Sequence, residues 1–96
     1  MLVRVEHQTP ESTYTIGECE NISETGIWVK TKEKFAISQE VTLRFILPPV
    51  AIGIAVQTRG VVVRVQESGG VAFEFVELKP RFRDAIAKYV QRSANT

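Results

Sequence analysis

Three residues in one short segment have the types and the spacing of a ligand-binding loop. Asn21, Ser23 and Gly26 stand between two stretches of alternating apolar residues. The Asn21 side chain carries both a hydrogen-bond donor and an acceptor, and Ser23 carries a hydroxyl. Gly26 lacks Cβ, which allows its main chain to adopt a positive φ or to come close to a ligand. The same residue types are common in tight turns, so two interpretations of this segment stay open.

Four cations and one aromatic residue are candidates for completing such a site. Arg4, Lys30, Arg59 and Arg64 fall on predicted strands, where they could line one outer wall of a folded sheet. Trp28 could stack on a nucleobase, as aromatic side chains do in many proteins that bind nucleic acids. The alternative is that the cations lie on solvated strand faces and that Trp28 packs against a neighbouring strand or helix.

Catalytic and metal-binding patterns are not found in the sequence. His7 is the only histidine and Cys19 the only cysteine, and neither has partners at the spacing of a catalytic triad. Glu18 and Glu20 point the same way on a predicted strand, where such carboxylates usually face water. His7, Cys19 and the carboxylates have no recognisable zinc-ligand spacing. We expect no enzyme activity, no metal and no other cofactor, with Cys19 a small buried strand residue.

The composition predicts a single folded domain over residues 1–96. With 44% hydrophobic and 24% charged residues, the chain has enough apolar material for a packed core. A net charge of +1 gives no field that would hold a long phosphate backbone, so we expect neither DNA nor RNA as a partner. No apolar run approaches the roughly 18 residues of a membrane span, and no signal peptide is evident. These features predict a reduced, cytoplasmic setting without a membrane span.

Alternating apolar and polar residues predict six short β-strands. The predicted strands are residues 2–8, 13–20, 27–31, 41–47, 54–66 and 71–75. Tyr14 and Ile16 form the apolar pair of the second strand, and residues 21–26 form a turn between the second and the third. Gly60 stands in the middle of the long fifth strand, where a β-bulge or a sharp bend would help to close a sheet.

The hydrophobic period changes near residue 80 and predicts one helix over about residues 80–92. Pro80 suits a first helical turn. The apolar residues of one helical stripe are Phe82, Ile86, Tyr89 and Val90. Strands over about residues 2–78, followed by one amphipathic helix, indicate a six-stranded antiparallel β-barrel whose open end or flank the helix covers. The predicted fold class is therefore all-β with one C-terminal α-helix.

Three segments together resemble the PilZ domain family, and the resemblance runs from about residue 2 to residue 92. They are NISETGIWVKT at residues 21–31, RGVVVRV at 59–65 and GVAFEFVEL at 70–78. The resemblance implies a PilZ-like barrel and a bacterial receptor for the second messenger cyclic di-GMP. In that family a D/N-x-S-x-x-G motif holds the ligand, and Asn21, Ser23 and Gly26 match it in full. Arg4 and Trp28 are the further residues that we assign to ligand contact.

The arginine motif of the family is absent from these 96 residues. PilZ domains that bind cyclic di-GMP carry an R-x-x-x-R pair just before the first strand, whereas Arg4 lies in that strand and Gln8 stands four positions on. Either the pair precedes Met1 in a longer chain, or this is a divergent member without it. The alternative function is then a PilZ-like protein-interaction domain that binds no nucleotide. We expect a protein partner, with exposed Trp28 and the basic outer face of the helix as candidate surfaces.

Overall fold

The computed structural model of the protein describes residues 1–8, 13–49 and 53–94. Its elements in chain order are β1 (Leu2–His7), β2 (Tyr14–Ile22), β3 (Gly26–Lys30), β4 (Glu40–Leu47), β5 (Ile54–Gln66), β6 (Gly70–Val76) and α1 (Pro80–Ala94). The strands close into an antiparallel barrel with the neighbour order β1-β2-β3-β6-β5-β4. The predicted fold, a six-stranded barrel with one C-terminal helix, is confirmed. The predicted single domain of residues 1–96 includes residues 9–12, 50–52, 95 and 96, which lie outside this description.

Alternation along the strands sends one set of apolar side chains into the barrel. Val41, Leu43, Phe45 and Leu47 of β4 are all buried, as their spacing predicted. Burying a side chain of this size contributes about 1.5–3 kcal/mol relative to leaving it exposed. The other buried apolar residues are Val3, Val5, Ile22, Ile27, Val29, Phe35, Val56, Val62, Val71, Phe73, Leu78 and Ile86. These residues form one continuous core, and the opposite strand faces are left on the outside.

The predicted apolar pair of β2 lies on the outside of the barrel. The exposed fractions of Tyr14 and Ile16 are 54% and 50%. Because Ile16 is the cross-strand partner of the outward-facing Arg4, both side chains lie on the same outer face. The strand also continues beyond its predicted end at Glu20, and the added residue Ile22 is buried in the core.

The bulge predicted at Gly60 of β5 is found at Val63 instead. The pairing of β5 with β6 is regular through Val62 and shifts between Val62 and Arg64. Of the two alternatives predicted at Gly60, a bulge or a sharp bend, the bulge is wrong, since Gly60 keeps a regular partner on both neighbouring strands. The extra residue turns Arg64 to the outer face of the barrel, opposite Ala72.

Helix α1 begins at Pro80 and packs its predicted apolar stripe against the barrel. Ile86 is fully buried, and Phe82, Tyr89 and Val90 are partly buried against the core. The predicted stripe is therefore confirmed. In the described part of the chain, no helix has the length and the apolar character needed to cross a membrane.

Candidate functional site

Four of the five residues predicted to contact a ligand lie together at the hairpin between β2 and β3. They line a concavity of about 200 Å³, which we call the β2–β3 concavity. Its lining residues are Asn21, Ile22, Ser23, Gly26, Ile27 and Trp28. The turn predicted over residues 21–26 is shorter in the structure, because Asn21 and Ile22 extend β2 and Gly26 begins β3.

A β-bulge in β2 determines which way Asn21 faces. Cys19 pairs with Val29 of β3 and Asn21 pairs with Trp28, so Glu20 is an extra residue in the strand. Without it, strict alternation after the inward-facing Cys19 would turn Asn21 into the barrel. With it, Asn21 lies exposed beside Trp28 on the outer wall. The bulge therefore brings an amide and an indole onto the same outer surface.

Ser23 stabilises the hairpin turn and leaves one hydrogen-bonding position of its hydroxyl unused. Its backbone N–H donates to the Gly26 carbonyl over 2.9 Å. Its hydroxyl oxygen accepts from the Thr25 N–H over 3.2 Å and lies 3.0 Å from the Thr25 hydroxyl. A hydroxyl has one donor and two acceptor positions, so one remains unused. The Asn21 side chain is exposed and makes no hydrogen bond with any residue that the structure describes.

The packing of β3 against β6 requires a glycine at position 26. A Cβ at Gly26 would lie closer to the Phe73 carbonyl oxygen than Cβ atoms in proteins lie to atoms that they contact without a bond. Among the described glycines, positive φ values occur at Gly53 and Gly69 and not at Gly26. Of the two roles that the sequence left open for Gly26, a positive φ is therefore wrong. Gly26 does make a close approach, and it is to the neighbouring strand β6.

Gly26→Ala is expected to lower the free energy of unfolding by about 1–3 kcal/mol, because the added methyl group forces β3 away from β6. Urea unfolding measures this change. The control is Ser68→Ala in the exposed turn between β5 and β6, which should stay within about 0.5 kcal/mol of the unchanged protein. A Gly26→Ala protein as stable as the control would contradict this account of the strand packing.

Trp28 and Arg64 form the outer wall next to the β2–β3 concavity. The indole lies over Gly70, since a Cβ at Gly70 would be 2.6 Å from Trp28 Cζ2. Arg64 Cζ lies 5.9 Å from the centroid of the Trp28 ring, within the range of a weak cation–π contact. In the part of the chain that the structure describes, Arg64 has no carboxylate partner. Of the four cations named from the sequence, Arg64 is the one held beside Trp28.

The structure does not bring Arg4 to the β2–β3 concavity. Arg4 pairs with Ile16 of β2, and the step from position 16 to position 21 corresponds to about 16 Å along a strand. The Arg4 guanidinium lies 3.9 Å from the centroid of the Tyr14 ring, and its Nε lies 3.3 Å from Glu6 Oε1. Arg4 therefore belongs to another part of the outer wall.

None of the four cations lines the β2–β3 concavity itself, and the two remaining ones, unlike Arg64, make no cation–π contact with the Trp28 ring. Arg59 Nη2 lies 3.4 Å from Glu40 Oε1 on β4. Lys30 is exposed at the end of β3, opposite Glu18. Among the residues described, no group of three or more His, Cys, Asp or Glu side chains could hold a metal ion.

The amino-terminal end of the described chain lies alongside β2, close to Asn21. The Met1 carbonyl accepts a hydrogen bond from the Cys19 N–H over 2.8 Å, and the Met1 ammonium lies 3.3 Å from Glu18 Oε1. Burial raises the pKa of the Cys19 thiol, although the ammonium and a hydrogen bond from the Asn21 backbone oppose this shift. Cys19, predicted to be buried, is half-buried, and the thiol stays protonated at neutral pH.

Comparisons with known proteins agree with the fold described above. Residues 1–92 match the PilZ domain family. The fold is similar to the structure of the Bacillus subtilis inhibitor of motility (MotI/DgrA), with a TM-score of 0.74 and 24% sequence identity. That similarity covers 100% of this chain and 49% of the other, so this chain spans about half the length of that protein. No curated protein matches the sequence.

Proposed function

Because the chain belongs to the PilZ domain family, we propose that it is a receptor module for cyclic di-GMP. The nucleotide binds at the β2–β3 concavity, where Asn21, Ser23, Gly26 and Trp28 lie together. The observation that carries this proposal is the bulge at Glu20, which presents the Asn21 amide on the outside beside the Trp28 indole. PilZ domains are binding and regulatory modules, and under this proposal the module acts in the bacterial cytoplasm, where it responds to a second messenger.

The chemistry of the concavity suits a guanine base. The exposed Asn21 amide offers a donor and an acceptor to a base edge, and Ser23 offers its unused hydrogen-bonding position. The Trp28 ring provides a surface for stacking, which contributes about 1–3 kcal/mol per base in single-stranded nucleic acid complexes. The volume of the concavity is about 200 Å³, below the roughly 300–1,000 Å³ of pockets for drug-sized ligands, so the proposal places one base there rather than the whole dinucleotide.

The phosphates of the ligand require cations, and the described chain supplies few of them at this end of the barrel. Arg64 lies beside Trp28 and has no carboxylate partner among the described residues. Its guanidinium is therefore available for a phosphate oxygen. A single arginine offers fewer charge-assisted contacts than the family's arginine pair, so we expect these 96 residues to bind the nucleotide weakly.

A protein-interaction domain that binds no nucleotide is the competing function. The absence of an R-x-x-x-R pair from the 96 residues favours it, since Arg4 is followed four positions later by Gln8. The two functions differ in a simple observation. A partner protein that is captured equally with and without cyclic di-GMP supports the competing function, and capture that depends on the nucleotide supports the receptor.

Asn21→Ala and Ser23→Ala are each expected to weaken cyclic di-GMP binding by about tenfold, because each removes one hydrogen-bonding group from the ligand. Thermal unfolding with increasing nucleotide measures the effect, since a ligand that binds only the folded protein raises the melting temperature. Ser68→Ala, outside the concavity, is the matched control and should respond as the unchanged protein does. A melting temperature that cyclic di-GMP leaves unchanged, or raises equally in all four proteins, would exclude binding at this site.

A further inference from the structure

A second and larger concavity lies on another part of the barrel. Its volume is about 1070 Å³, and residues of β1, β2, β4, β5, β6 and the start of α1 line it. We call it the β1–β4 groove. The residues that matter for its chemistry are Leu2, Ile16, Ile46, Arg4, Arg44 and Arg81. None of the residues that line the β2–β3 concavity lines this groove.

Two arginines in the β1–β4 groove share one carboxylate. Arg4 and Arg44 are direct cross-strand partners on β1 and β4, and like charges in that position repel each other. Glu6 Oε1 lies 3.3 Å from Arg4 Nε and 2.6 Å from Arg44 Nε. No other acidic side chain among the described residues forms an ion pair with either arginine. Both guanidinium groups therefore keep Nη donors that can meet a further carboxylate.

Lys79, which directly precedes α1, and Arg81, in its first turn, add two further cations to the β1–β4 groove. Lys79 and Arg81 line it, are exposed and form no ion pair with the residues described. Arg59 also lines the groove and is paired with Glu40. The carboxylate in the lining itself is Glu77. Even with Glu6 and Glu40 counted, the groove carries an excess of positive charge, although the whole chain is nearly neutral.

Large apolar side chains lie exposed between these cations. Leu2, Ile16 and Ile46 have exposed fractions of 65%, 50% and 46%. Ile16 is the direct cross-strand partner of Arg4. Phe45 of β4 pairs with Val3 of β1, so the adjacent residues Ile46 and Leu2 are also opposite each other. Exposed apolar side chains that are grouped in a concave surface mark sites of protein association or ligand binding. A free nucleotide has no aliphatic groups to cover them, whereas a protein segment does.

We propose that the β1–β4 groove binds an acidic segment of a partner protein. Carboxylates of that segment pair with the free Nη groups of Arg4 and Arg44, and its apolar side chains cover Leu2, Ile16 and Ile46. The positive excess of the groove is the complement of such a segment. This inference does not depend on nucleotide binding at the β2–β3 concavity.

Selection from random-sequence peptides displayed on phage tests this proposal without a known partner. The selected peptides are expected to be rich in Asp and Glu together with large apolar residues. Their affinity, measured with the synthetic peptides by fluorescence anisotropy, should fall by about tenfold or more in the double variant Arg4→Gln/Arg44→Gln. Arg83→Gln, an exposed arginine of α1 outside the groove, is the matched control and should bind as the unchanged protein does.

Several results would overturn the proposal. They are a selection without binders, selected peptides without an excess of acidic residues, and equal binding by the double variant. Displacement of the peptides by cyclic di-GMP or by a short oligonucleotide would instead assign the groove to nucleotides. Should the double variant fail to fold, Ile46→Ser provides the second test, because it removes apolar surface at an exposed position and should also weaken the peptides.

Discussion

A segment with the spacing Arg-x-x-x-Arg, joined directly before Met1, is expected to tighten cyclic di-GMP binding by roughly two to four orders of magnitude. Each arginine would form charge-assisted contacts of about 1.5–3 kcal/mol per bond with phosphate or guanine. Because β1 is antiparallel to β2, with Leu2 opposite Glu18, residues joined before Met1 would continue past Cys19 toward Asn21. Their guanidinium groups would then meet the nucleotide at the β2–β3 concavity.

Isothermal titration calorimetry measures this gain in affinity. The matched control is the same added segment with both arginines replaced by glutamine, which has the same length and no charge. The extended protein should also lose affinity on Asn21→Ala, because the added arginines and the concavity contact one ligand. Equal affinities for the arginine and glutamine segments, or no heat with either, would contradict this placement of the site.

Phe73→Ala is expected to lower the free energy of unfolding by about 3–5 kcal/mol, a large part of the roughly 5–15 kcal/mol that holds a domain together. Phe73 has an exposed fraction of 1% and lies between Ile27 of β3 and Val62 of β5. Its ring meets the Phe35 ring edge to face, with centroids 5.5 Å apart. Gly26 packs against the backbone of Phe73 on β6. We therefore expect the loss of the Phe73 side chain also to loosen the pairing of β3 with β6 behind the β2–β3 concavity.

Urea unfolding followed by circular dichroism and by the fluorescence of Trp28, the single tryptophan, measures this loss. Val65→Ala is the control, since Val65 is 40% exposed on β5 and should cost less than about 1 kcal/mol. Similar stabilities for Phe73→Ala and Val65→Ala would show that Phe73 does not hold the core together.

Hydrophobic periodicity predicted those parts of the fold in which one face is buried and the other is exposed. β4 and α1 are the clearest cases, because every second residue of the strand and one stripe of the helix enter the core. The bulges at Glu20 and Val63 were not predictable in the same way. A bulge adds one residue without changing the composition of a strand, and the partner strand decides which residue is left unpaired.

The candidate site was predictable where its residues are neighbours in sequence. Asn21, Ser23 and Gly26 belong to one hairpin, so their types and spacing were sufficient to group them. The position of Arg4 depends instead on the register of β1 against β2, which no local pattern reveals. Arg44 was not singled out at all, since one arginine on an outward strand face has no distinctive spacing. Its pairing with Arg4 exists only in the folded barrel.

The most direct test of nucleotide binding at the β2–β3 concavity is a titration of the unchanged protein with cyclic di-GMP, followed by two-dimensional ¹H–¹⁵N NMR. At about 1 mM nucleotide even a weak complex is populated. The amide signals of Asn21, Ser23 and Gly26 and the indole N–H of Trp28 should shift together, while cyclic di-AMP should shift them less. Unchanged signals at these four groups, or shifts confined to the β1–β4 groove, would contradict the proposed site.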